Sequence, residues 1–90
     1  MKKVYKYSIA PSPDPIKVML PRGAQILHLD EDGFGRLCYW ALVDPEEKEE
    51  EEVYLYCIGT GWEVGIDFLY VGSVVTAAGY VWHLFKKEKE

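Results

Sequence analysis

The residues through which this chain could do chemistry are few. They are two histidines, two cysteines, a threonine and a tryptophan in a glycine-rich loop, two arginines among turns, and a run of glutamates. Nucleophilic catalysis needs a nucleophile, a base and an orienting group in contact. His28 and His83 both sit inside apolar stretches, where hydrogen-bonded core or interface histidines are expected rather than catalytic bases. A zinc site built from Cys38, Cys57, His28 and His83 lacks the CxxC spacing of structural zinc sites. The segment Asp30-Glu-Asp-Gly-Phe-Gly35 lacks the alternating ligands of a calcium loop. The carboxylates lie in loops and form no recognisable acid–base pair. No catalytic residue, metal or cofactor is therefore expected, and the protein is not expected to be an enzyme.

Binding chemistry remains. Gly59-Thr-Gly-Trp-Glu-Val-Gly65 has three glycines in seven residues, which allow close backbone approach and unusual torsions. It matches neither the Walker pattern nor the dinucleotide fingerprint, and no helix follows it. Within it, Gly59, Thr60, Gly61 and Trp62 form the candidate ligand loop. Trp62 and Tyr39 could stack on a base, as could Trp82, although Trp82, like Trp40, reads more readily as a core or subunit contact. Arg22 and Arg36 could pair with phosphate, and Thr60 could supply a hydroxyl.

These residues must be held by strands. Runs of apolar and aromatic residues bounded by turn formers read as β-structure. The spacing predicts strands over Lys3–Ala10, Ile16–Leu20, Ala24–Asp30, Arg36–Asp44, Val53–Thr60, Asp67–Thr76 and Tyr80–Lys87. Pro11-Ser-Pro-Asp-Pro15 excludes helix and interior strand. The expected fold is all-β, a compact antiparallel sandwich or small open barrel of about seven strands with no substantial helix. Residues 1–90 read as a single domain. The two strands within Gly35–Gly61 read as a central hairpin joined by an acidic loop, Glu46 to Glu52. Antiparallel counting then sets Cys38 opposite Cys57, as two buried thiols rather than a disulfide, given a reducing compartment.

Both strands of that hairpin, like Tyr80–Phe85, are apolar on both faces. A half-solvated antiparallel strand shows a polar side. A sandwich covers only one face of each sheet, so the second face points to self-association as a dimer or tetramer. With 49% apolar and 14% aromatic residues the composition is that of a folded chain. A net charge of −5 argues against general nucleic-acid binding. No apolar run approaches membrane-spanning length, and Met1–Ser8 lacks the apolar core of a secretory signal, so a cytoplasmic location is expected.

Five segments, taken in order, carry a family resemblance: Val4-Tyr-Lys-Tyr7, Met19-Leu-Pro-Arg-Gly-Ala-Gln-Ile-Leu27, Trp40-Ala-Leu-Val-Asp-Pro45, Gly59-Thr-Gly61 and Val81-Trp-His-Leu-Phe85. Together they resemble a family of small bacteriophage and prophage proteins, largely of unknown function, and the resemblance spans nearly the whole chain. The family loop commonly continues Gly-Thr-Gly-His, and Trp62 stands here in place of that histidine. By analogy of origin, the resemblance implies a counter-defence protein in a bacterial host, a homo-oligomer that sequesters a nucleotide signal of host immunity. The alternatives are an acidic protein-binding inhibitor that mimics nucleic acid through Glu46 to Glu52, or a small accessory phage protein.

Overall fold

The computed structural model describes residues 1–87. Its strands are β1 (Lys3–Ser8), β2 (Ile16–Pro21), β3 (Gln25–Glu31), β4 (Leu37–Val43), β5 (Glu50–Gly59), β6 (Phe68–Val75) and β7 (Val81–Lys87). They form two antiparallel sheets, a three-stranded one in the order β1-β4-β3 and a four-stranded one in the order β2-β5-β7-β6. The described residues contain no helix, and hence none long and apolar enough to cross a membrane. The all-β expectation holds, in its sandwich form. The Cα extents are 38 × 33 × 15 Å, a depth that accommodates two sheets packed about 10 Å apart and no third layer. The barrel is not closed, although β3 and β6 run close together at one side. There the Ala77 amide donates to Glu31 Oε1 and ties the β6–β7 turn to β3.

The core follows from strand alternation. Residues Leu37, Tyr39, Ala41 and Val43 share the inner face of β4, and the register brings Tyr7 opposite Tyr39 and Leu29 opposite Tyr39 on its other side. From the other sheet, Leu55, Cys57, Leu84 and Val74 point inward and meet them. Burying these side chains contributes about 1.5–3 kcal/mol for each large aliphatic one.

One expectation is overturned. β4 and β5 are not a hairpin; they lie in different sheets. β4 already has two neighbours, β3 through the tight Asp32–Gly35 turn and β1 on its other edge, so no hydrogen-bonding edge is left for β5. The Asp44 carbonyl and carboxylate instead take the amides of Glu47 and Glu46, turning the chain out of one sheet and into the other. Cys38 therefore faces Ser8 and Asp30, while Cys57 faces Leu84. Both are buried free thiols, as expected. Burial pushes the Cys57 thiol up to about 11, and burial with the nearby Asp32 carboxylate raises that of Cys38.

The acidic run is also only partly a loop. Glu50, Glu51 and Glu52 belong to β5 and pair with Pro21, Leu20 and Met19 of β2.

Candidate functional site

The ligand loop predicted from the sequence begins as β5 ends. Gly59 to Trp62 is a tight turn closed by the Trp62 amide donating to the Gly59 carbonyl at 3.1 Å. Gly61, at φ +91°, takes the third position, where a type II turn needs a positive φ. Gly59 is needed for a different reason. A Cβ there would meet Trp62 Cε2 at 3.0 Å and Trp82 Cζ3 at 3.3 Å, so the indole of Trp62 lies directly on the glycine backbone. Trp62 meets Trp82 edge-on with ring centroids 6.0 Å apart, and Tyr80 stacks on Trp82 at 6.0 Å with an interplanar angle of 24°. Trp82 packs on the core. Trp62 and Tyr80 remain 42% and 63% exposed, which leaves open ring surface at this end of the sandwich.

Thr60 points the other way. Neighbouring strand residues alternate between faces, so His83 stands on the outer face of the four-stranded sheet while Trp82 faces in. Thr60 Oγ1 lies 2.9 Å from His83 Nε2. His83 Nδ1 lies 2.7 Å from Ser73 Oγ, and Ser73 Oγ lies 2.8 Å from Tyr70 Oη. A neutral imidazole has one donor and one acceptor nitrogen. With Nδ1 accepting, protons run from Tyr70 to Ser73 to His83 to Thr60; with Nδ1 donating, the order reverses. Every polar atom is satisfied in either order. The chain is not a hydrolytic triad, because a hydroxyl rather than a carboxylate orients the imidazole. Beside it, Tyr70 meets Phe85 edge-on, and Phe68 bridges Phe85 and Tyr56, stacking on the latter at 3.7 Å. His83 is thus hydrogen-bonded, as expected, but on an aromatic outer face rather than in the core.

The other predicted site residues lie elsewhere. Tyr39 is 1% exposed and stacked on Tyr7 at 5.2 Å. Burial pushes its hydroxyl up to about 12. It offers no ring face to a ligand and is a core residue. Arg22 sits at the far end of the four-stranded sheet, held by the Glu47 and Glu49 carboxylates. Arg36 belongs to the β3–β4 turn, paired with Asp32 and lying 5.6 Å over the Phe34 ring. It lines an open groove of about 670 Å³ against the Pro11–Ser12 loop. Four of the seven candidates, Gly59, Thr60, Gly61 and Trp62, are therefore together, and Arg22, Arg36 and Tyr39 are apart from them and from one another.

Two further placements bear on the sequence reading. His28, expected inside the apolar interior or an interface, is exposed on the outer face of the three-stranded sheet, 3.3 Å from Asp30 and beside a half-buried Trp40. The bulge at Leu27 shifts the strand register and turns His28 onto the face of Trp40. In the glutamate run, Glu47 and Glu49 hold Arg22, Glu51 accepts from the Gly23 amide, and Glu52 pairs with Lys17 at 3.3 Å. The run is partly neutralised within the molecule, which weakens its likeness to an array of phosphates.

Sequence reasoning did not single out Ser73, Tyr70 and Tyr80. A signal for Ser73 existed. Counting back from the Ala77-Ala-Gly79 turn sets Val75 against Val81, and hence Ser73 against His83.

No curated protein and no solved structure matches the chain. One family model does, over residues 1–90, and its description is Domain of unknown function (DUF7352). The chain belongs to that family.

Proposed function

We propose that this DUF7352 protein is a non-catalytic binding protein that works as a homo-oligomer and sequesters a nucleotide signal, in the counter-defence role that its resemblance to small phage proteins implies. The observation that carries the reading is the open aromatic surface of Trp62 and Tyr80 around Trp82, at the end of the sheet where the Gly59–Trp62 turn lies. Exposed rings suit a nucleobase, which stacks on them through its π-face. Arg22 and Arg36 are held by carboxylates away from this turn. The phosphates of a ligand stacked here would be neutralised by cations of a second copy of the chain, which is why the reading includes self-association.

The test is calorimetric titration with a panel of cyclic di- and trinucleotides and ADP-ribose-type signals. Stacking of a base on an aromatic ring contributes about 1–3 kcal/mol by alanine substitution. Trp62→Ala is therefore expected to weaken binding roughly ten- to a hundredfold. Because the ring is only partly buried, its melting temperature should stay close to that of the wild type. If no member of the panel binds the wild-type protein, sequestration of these signals is excluded.

A further inference from the structure

The opposite end of the sandwich holds a second cleft. It has a volume of about 560 Å³ and lies where β5 begins and β7 ends, the length of a strand away from the Gly59–Trp62 turn. Leu20 and Val53 from the inner face of the four-stranded sheet, Leu69 at the start of β6 and Ile26 from the facing sheet form its apolar walls. A cleft of this size is in the range that binds small organic molecules.

Two charged groups, Lys86 and Glu51, stand at inner-face positions where apolar ones are expected. Lys86 occupies an inner-face position, in register with Leu55 on one side and Leu69 on the other, and it lines the cleft. Lys86 is half-buried, so its stem covers apolar wall while its ammonium reaches the mouth of the cleft. Of the carboxylates that line the cleft, Glu52 pairs with Lys17 and Glu51 accepts from the Gly23 amide. Among the described residues neither Lys86 nor Lys87 forms an ion pair.

We infer that this cleft binds an amphipathic organic monoanion, an acyl or aryl carboxylate, with its hydrocarbon part between Leu20, Ile26, Val53 and Leu69 and its carboxylate on Lys86. Lys87, on the opposite face of β7, reaches only the rim. This site is independent of the Trp62 end.

The probe is decanoate, titrated calorimetrically into the full chain below its micelle concentration. Saturable binding is expected, and the uncharged decanol, with the same hydrocarbon chain, is expected to bind at least tenfold more weakly. Lys86→Met should weaken decanoate about tenfold, as loss of a charge-assisted contact does, whereas Lys86→Arg should retain it. Leu69→Trp should fill the cleft and remove binding; Leu69 is partly exposed at a strand start, and a thermal melt checks that the fold survives. Trp62→Ala should leave decanoate binding unchanged, so failure here is separable from failure of the nucleotide reading. Absence of decanoate binding to the wild type overturns the inference. So does equal affinity for decanol, or binding that Lys86→Met leaves intact.

Discussion

The Asp32 carboxylate accepts hydrogen bonds from the Arg36 amide at 3.0 Å, the Phe34 amide at 2.8 Å and the Arg36 guanidinium at 3.1 Å. The Arg36 amide above all, with the Phe34 amide and the Arg36 charge, holds this carboxyl down at about 2, against the partial opposition of burial. A carboxyl depressed in the folded state contributes stability that is fully present above its unfolded value near 3.8 and is lost as pH falls through about 2. Stability measured by denaturant unfolding should therefore fall between about pH 4 and pH 2. Asp32→Asn should flatten that part of the profile, and an unchanged profile in the variant would mean that other carboxylates carry it. Residue identity alone did not reveal this role, since an aspartate in a turn looks interchangeable with its acidic neighbours Asp30 and Glu31. Tyr39 and Thr60 show the same limit in opposite directions. A tyrosine in a strand can face core or solvent, and register decided for core. The threonine's glycine setting marked it as available, and a histidine from another strand took its hydroxyl.

The two hairpins of the molecule, β3–β4 and β6–β7, are closed by the same device. In each a side-chain oxygen at the first turn residue, Asp32 or Thr76, accepts the amide four residues on, and a glycine with φ near +80° to +90°, Gly35 or Gly79, precedes that amide. The backbone bonds match as well: Asp32 with Arg36 and Thr76 with Tyr80, both 2.8 Å from amide to carbonyl. A side chain at a left-handed position costs roughly 1–2 kcal/mol. Gly35→Ala and Gly79→Ala should each lower the melting temperature by roughly 4–8 °C for every kcal/mol lost. Gly33→Ala, where no positive φ is needed and nothing lies within 4 Å of the added Cβ, should leave it nearly unchanged. A calorimetric scan of the three variants decides between them. All seven strands were legible in the sequence because alternation and turn residues are local signals. Their pairing was not. Gly35 to Gly61 supplies a central strand to each sheet, and two strands adjacent in sequence and rich in apolar residues look like a hairpin until the competing claims of β1 and β3 on β4 are known.

Taken whole, the molecule is thin for its breadth, and its four-stranded sheet turns aromatic residues outward. Tyr70, Tyr54, Met19 and Val75 are exposed on that face, and the hydroxyls and imidazole between them already bond one another. Covering polar groups that are mutually satisfied avoids the penalty of burying unpaired ones. Sedimentation velocity at low micromolar concentration is expected to show a dimer or tetramer, and Tyr70→Glu should shift it toward a species of 10.4 kDa. A wild-type protein that sediments only at that mass would exclude self-association. The two-sheet partition has a further consequence, for the time course of folding. The turns at Asp32 and Thr76 bring neighbours together and can close early. The outer strands β1 and β2 cannot, since Lys3 must find Val43 and Ile16 must find Leu55, and each search closes a long loop before any contact rewards it. The chain should therefore gain its two hairpins first and the edge strands β1 and β2 last, on the roughly millisecond-to-second scale of sandwiches. Until β1 and β2 arrive, β4 and β5 each have a bare backbone edge, and the lysines at positions 3, 6 and 17 ride on the very strands that later cover those edges.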